Sequence, residues 1–252
     1  MIKRLGFITI FLIFTGALFA LDQQQDIQKA NKAYADGSFT EAIDLYKRVI
    51  VLGYESPDLY YNLGNSYFKL NEYASAILWY ERARRLNPGS EDIDFNLKVA
   101  NNKIADQIEP LPELFYKRWF RSIINLFTAD TWAGTGIVLF ILALTFGSLY
   151  LISRVLILRK VGFWIGGIIL LFSVISILFA WSSYTAVKNA NEAIIFTPTI
   201  TIKSSPDEKS VDLFVLHEGT KVQIKDQIGT WYEIRIANGS VGWIPASSLE
   251  KI

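Results

Sequence analysis

The stretch "NLGNSYFKLNEYASAILWY", residues 62–80, decides how the first half of the chain is read. Leu63, Gly64 and Tyr67 recur at helical spacing before Asn71-Glu72, and Tyr73, Ala76 and Tyr80 recur in the same way after it. That pattern predicts two helices joined by a tight turn. A hairpin this short cannot bury both of its faces, so it needs neighbours built in the same way.

The neighbours are found by extending the window. Over 57–90, Tyr60, Leu63, Gly64, Tyr67, Tyr73, Ala76, Tyr80, Ala83 and Pro88 fall at the signature positions of the 34-residue tetratricopeptide repeat. The residue types have physical reasons. Gly64 and Ala76 let the two helices approach, Ala83 leaves room for the next repeat, and Pro88 stops the second helix. A shift of one repeat backwards finds a degraded copy, with Ala30, Gly37, Phe39, Ala42 and Tyr46 opposite Gly64, Asn71, Tyr73, Ala76 and Tyr80. A shift forwards finds one helix only, "EDIDFNLKVANNKIADQ", which would cap the stack. Residues 23–106 are therefore expected to form two repeats plus a capping helix. Pro110 and Pro112 in "IEPLPELF" end the helical region.

Stacks of this kind present a concave groove lined by the first helix of each repeat. The family pattern assigns to it Asn31 and Tyr34, then Asp58, Tyr61, Asn65, Phe68 and Lys69, then Asp92, Phe95 and Val99. Asn31 and Asn62 match the asparagines of a carboxylate clamp, but Ile27, Asp92 and Asn96 stand where that clamp needs cations. An extended or helical protein segment is the expected occupant.

The middle of the chain belongs in lipid. Half of all residues are apolar, and they are concentrated rather than spread. Residues 131–153 and 161–187 carry no charge and are each long enough to span a bilayer. The connection 154–160 holds Arg154, Arg159 and Lys160, a cytoplasmic signature. Residues 1–20 combine Lys3 and Arg4 with an apolar run ending at Ala20; they read as a secretory signal peptide or an uncleaved anchor. The resulting topology places 21–130 and 188–252 outside the inner membrane, in the periplasm. Residues 111–130 are expected to lie in the interface as an amphipathic helix, with Phe115, Trp119, Ile123 and Phe127 on one face and Lys117, Arg118 and Arg121 on the other. Gly162 and Gly166 form a GxxxG, which either packs helices closely or is an ordinary membrane-helix glycine pair.

Residues 193–252 switch to alternation. "TITIK", "VDLFVL", "KVQIK", "WYEIRI" and "VGWI" predict five short strands, divided by Gly219, Gly229 and Asn238-Gly239, in a small closed barrel. The order of the GxW, NG and GWIP elements resembles a bacterial SH3-like domain. Trp231, Trp243 and Pro245 are its candidate surface residues, with core packing as the alternative for the two tryptophans. A proline-rich ligand is disfavoured, because "AIIFT" stands where the ALYDY signature is expected and Ser248 stands where a groove tyrosine is expected. Cell-wall peptide is the other ligand class to weigh.

Composition removes several functions. Without cysteine there is no disulfide, thiol nucleophile or Cys-based zinc site. The lone histidine, His217, leaves no histidine cluster. No metal, cofactor or catalytic residue is expected, and the chain reads as non-enzymatic. With a net charge of +1, nucleic-acid binding is not expected either.

The fold class is thus a multidomain membrane protein: all-α repeat hairpins, a two-helix transmembrane hairpin and an all-β SH3-like barrel. In this order, with "FNLKVAN" and "QIEPLPELF" before the hairpin, the chain resembles the BatE family of the aerotolerance (Bat) operon. The resemblance implies an inner-membrane scaffold in oxygen or stress tolerance. It would work beside von Willebrand factor A-type Bat proteins and, indirectly, a MoxR-type ATPase. It supplies no catalytic residues.

Overall fold

A computed structural model describes residues 24–188 and 191–252. The expected signal sequence over 1–20 lies outside the described residues. The described chain divides into two compact units: residues 24–84, 91–110 and 191–252 form one, and residues 85–90 with 111–188 form the other.

The first unit opens with helix α1 (24–35), followed by α2 (Phe39–Val51), α3 (Pro57–Lys69), α4 (Tyr73–Leu86) and α5 (Glu91–Asn101). Local chemistry fixes the ends. The Ser56 side chain accepts from the Leu59 N–H at 3.1 Å while Pro57 starts α3, and Gly53 at φ +85° closes α2. Gly37 and Asn71, one repeat apart, both take the left-handed conformation (φ +79° and +63°) and turn each first helix into its second. Gly64 has a more specific role than closeness: a Cβ there would stand 2.7 Å from the Tyr80 ring. The core is sealed by Leu63, Ala76, Ile77, Tyr80 and Ala83, each almost without exposed surface. Helix α5 covers the end of the stack with Ile93, Leu97 and Ala100.

The same unit contains seven strands: β1 (Glu192–Ile195), β2 (Thr199–Lys203), β3 (Asp212–His217), β4 (Lys221–Ile228), β5 (Trp231–Arg235), β6 (Val241–Pro245) and β7 (Leu249–Lys251). All pairings are antiparallel, in the order β3-β2-β6-β5-β4-β1-β7, and the ladders leave β3 and β7 as edges. The sheet curls around one core, to which Ile195, Ile202, Leu216, Val222, Ile234 and Ile244 contribute from six different strands. Two strands exceed the five expected. Strand β1 escapes the alternation test because Ala193, Ile194 and Ile195 are all fully buried. Strand β7 has only three residues. Gly229 (φ +58°) sits first in the two-residue turn between β4 and β5, and Gly239 (φ +92°) is fourth in the five-residue connection between β5 and β6.

The second unit contains α6 (Phe115–Ile124), α7 (Ala129–Ile152) and α8 (Leu156–Lys188). Helices α7 and α8 are long and apolar enough to cross a membrane. Their connection is shorter than the expected loop of 154–160: only residues 153–155 are non-helical, and Arg159 and Lys160 stand in the first turns of α8. Small residues line the contact between α7 and α8. A Cβ at Gly162 would meet the Phe146 carbonyl at 2.7 Å, and one at Gly166 would meet Phe146 Cβ at 3.1 Å, so the GxxxG packs this hairpin. The hydroxyls of Ser173 and Ser176 donate across it to the carbonyls of Gly136 (2.8 Å) and Trp132 (2.7 Å).

Candidate functional site

The repeat groove is built on a hydrogen-bond pattern that itself repeats. Asn31 Oδ1 accepts from the Tyr46 hydroxyl at 2.6 Å and from Asn62 Nδ2 at 3.4 Å. One repeat later, Asn65 Oδ1 accepts from the Tyr80 hydroxyl at 2.7 Å and from Asn96 Nδ2 at 2.9 Å. Asn96 Nδ2 also donates to the Tyr61 hydroxyl at 2.8 Å. Each second helix thus reaches its own first helix through a tyrosine, and the next first helix reaches back through an asparagine.

A cavity of about 290 Å³ opens beside the second copy of this network, lined by Tyr34, Tyr61, Asn65, Phe68, Lys69, Tyr80, Asn96 and Val99. Six predicted groove residues meet there: Tyr34, Tyr61, Asn65, Phe68, Lys69 and Val99. Asn31 lies outside the lining, held by Tyr46 and Asn62. Phe95 is 66% exposed and does not line the cavity, because α5 turns Ile93 and Leu97 inward instead. Tyr80 and Asn96 join the site unpredicted. Their signal was present, since the Asn31, Tyr46 and Asn62 set shifted by one repeat gives Asn65, Tyr80 and Asn96.

Chemically the cavity is rich in donors with aromatic walls. With the Asn65 oxygen already accepting twice, its amide hydrogens, the Tyr34 and Tyr61 hydroxyls and the Lys69 ammonium have no other acceptor among the described residues. Burial, with Tyr34 adding to it, pushes the Tyr46 phenol up to about 12. Burial and neighbouring tyrosines also raise Tyr80 and Tyr34, so all three stay neutral at physiological pH. Such a lining suits main-chain carbonyls and polar side chains of a peptide.

The C-terminal sheet docks on the other side of α4 and on the segment after α5. The Asp106 carboxylate is the hub: Oδ2 accepts from the His217 N–H (2.7 Å) and the Thr220 hydroxyl (2.6 Å), and Oδ1 lies 2.8 Å from His217 Nδ1. Burial alone would raise the Asp106 carboxyl, but the bonds from Thr220 and His217 outweigh it and hold it below its ordinary value. Buried Glu81 on α4 pairs with Arg84 at 2.6 Å and with Lys221 of β4 at 3.0 Å, and Lys221 also pairs with Glu192 at 2.8 Å. Arg82 donates to Glu250 (3.0 Å) and to the Lys251 carbonyl (2.7 Å). Gly219, at φ +86°, lets Ile104 pack where a Cβ would stand 2.5 Å away. Ile108 packs against the sheet core. His217 is therefore a docking residue. The Asp–His–Thr set is not a catalytic relay, because the Thr220 hydroxyl donates to Asp106 rather than to the imidazole.

Trp231 and Trp243 lie outside the sheet core. Alternation sends Tyr232, Ile234 and Ile244 inward, which leaves Trp231, Trp243 and Pro245 on the outer face, with Trp231 directly opposite Pro245. Both tryptophans are half-buried there. In the second unit, the Arg159 guanidinium lies over the Tyr150 ring at 5.5 Å, near Arg154 and Lys160 in sequence.

Residues 27–91 match the family model of the tetratricopeptide repeat, and residues 198–250 match that of the bacterial SH3 domain. No curated protein matches the chain. Two segments of the chain thus resemble a repeat and a bacterial SH3 domain, and two helices between them are long and apolar enough to cross a membrane. Both matched families are, as a rule, non-catalytic interaction modules, which implies protein or cell-wall partners.

Proposed function

We propose that the chain is a non-enzymatic adaptor of the BatE type, anchored in a bacterial inner membrane, whose repeat groove and SH3 domain hold partner proteins in the periplasm. The groove carries the reading: a preformed, aromatic-walled cavity whose donors await a peptide. The clasp between Asp106 and His217 supports the topology. It joins the segments before and after α7 and α8 into one unit, which supports a reading with both flanks on one side of the bilayer and two crossings between them. Arg154, Arg159 and Lys160 at the turn favour the cytoplasm for that end. The order of segments and "IEPLPE" support the Bat assignment, with von Willebrand factor A-type Bat proteins as direct partners and a MoxR-type ATPase as an indirect one.

The test is affinity purification of the tagged full chain from native membranes after crosslinking. Wild type is expected to retain membrane-associated proteins. A Tyr61→Ala, Asn65→Ala double variant, expressed and folded to the same extent, is expected to lose them at least about tenfold, the range for truncating two hot-spot contacts. Equal recovery by both proteins would exclude the groove.

The outer face of Trp231, Trp243 and Pro245 favours a second reading, in which the SH3 domain anchors the protein to peptidoglycan. Full-length protein should then sediment with isolated cell wall, and a Trp231→Ala, Trp243→Ala variant should stay in the supernatant. Wild type remaining in the supernatant would end this reading.

A further inference from the structure

Helices α7 and α8 carry aromatic side chains near both ends of their contact. Trp132 of α7 stacks edge-on to Phe179 of α8 at 5.1 Å, two residues from Trp181; at the other end Tyr150 lies 5.8 Å from Phe163, beside Trp164. The sequence separation from Trp132 to Tyr150, and from Trp164 to Trp181, corresponds to about 26–27 Å of helix. That matches the ~30 Å hydrocarbon core with an aromatic girdle at each interface.

Helix α6 is held at the first of these girdles. Trp132 Nε1 donates to the Ile124 carbonyl at 2.8 Å, Phe127 stacks on Trp132 at 5.1 Å, and Phe120 stacks on Phe179 at 5.8 Å. Around its axis, at about 100° per residue, the apolar side chains from Phe115 through Trp119, Ile123 and Tyr116 to Phe120 fill one arc. Lys117, Arg118 and Arg121 occupy the opposite arc. Phe115 is 80% and Trp119 66% exposed, so the outer part of the apolar arc is uncovered. Arg121 is paired with Glu113 at 3.0 Å, whereas Lys117 and Arg118 face no carboxylate among the described residues.

We propose that α6 is a binding site for anionic phospholipid. Phe115 and Trp119 enter the acyl boundary, and Lys117 and Arg118 hold headgroup phosphates at the level of the Trp132 and Trp181 girdle. The assignment rests on α7 and α8 spanning the bilayer. It also accounts for the cations on the side of the hairpin opposite the basic turn: they serve lipid contact rather than orientation.

The chain contains no cysteine, so single cysteines label cleanly. The full chain is reconstituted in vesicles of phosphatidylcholine with one quarter phosphatidylglycerol, carrying a nitroxide at Ile168→Cys or Phe115→Cys. Collision with oxygen reports lipid, and collision with a nickel chelate reports water. Both labels are expected to favour oxygen. Water exposure at 168 would overturn the bilayer reading itself. Lipid exposure at 168 with water exposure at 115 would overturn only the assignment of α6, and protection of 115 from both reagents would mean that protein covers this face and would overturn it as well. Lipids retained by the detergent-purified full chain test selectivity. Wild type is expected to enrich phosphatidylglycerol, and Lys117→Gln with Arg118→Gln to lose roughly tenfold of that preference. Unchanged enrichment in the variant would refute the role of the two cations.

Discussion

Alanine in place of Asp106 is expected to release the C-terminal sheet from the repeats while each keeps its own core. The carboxylate receives the His217 N–H, lies in reach of the His217 imidazole and receives the Thr220 hydroxyl, all within 2.8 Å. Hydrogen bonds to a charged group contribute about 1.5–3 kcal/mol each and are not additive when shared, so a net loss of about 3 kcal/mol is expected. Thr220, 3% exposed, would also lose its partner. The readout is hydrogen exchange at the His217 amide in the full chain: slow in wild type, at least about a hundredfold faster in the variant, since 1.4 kcal/mol is a factor of ten. An unchanged rate would show that the ion pairs of Glu81 and Arg82 hold the sheet without Asp106. The pH dependence has a definite sign. Because the folded carboxyl titrates below its ordinary value, its contribution is complete above about pH 4 and is lost as the pH falls through the lower folded value. Wild type should therefore stay docked from neutral to mildly acidic pH and open below, and Asp106→Ala should lack that acid step.

Gly64→Val is expected to destabilise the repeats by about 3 kcal/mol or more, the range for overpacking a well-filled core. A Cβ at this position stands 2.7 Å from two carbons of the Tyr80 ring and 3.3 Å from the Ala76 carbonyl. Tyr80 is 1% exposed and cannot swing aside without leaving Asn65. The groove therefore fails together with the packing. For a chain of this size the loss corresponds to a fall in Tm of roughly 6–12 °C, followed by near-ultraviolet circular dichroism of the full protein in detergent. Gly37→Ala is the control: open space surrounds it, and only its φ of +79° resists a side chain, at a cost of about 1 kcal/mol. A larger fall for Gly37→Ala than for Gly64→Val would contradict the role assigned to the ring contact.

The repeats were legible because their residue types answer to local geometry. Small residues mark close approach, and Gly37 and Asn71 mark the left-handed turns. Five strands announced themselves by alternation. Strand β1 did not, because alternation records a half-buried strand, and Ile194 is buried on the face away from the sheet core. That burial, like the partnership of Asp106 with His217 across 111 positions, depends on a tertiary contact that no local pattern encodes. Most of the groove could be read by register. On α5 the same register places Asn96 and Val99 in the cavity lining, while Phe95 stays exposed beside it.

The docking between α4, the 102–110 segment and the sheet also sets an order of assembly. During synthesis the repeats are complete when residue 101 has emerged, yet Ile77, Glu81, Ile104 and Asp106 must wait for β1 and the 217–221 turn. More than a hundred residues, including both apolar helices, separate the two halves of the joint. Until the last segment has been made and has docked, an apolar and acidic surface stays open to proteases and chaperones. Closure of the joint is thus the last folding event of this unit, and only a chain whose final segment has returned to the repeats covers that surface.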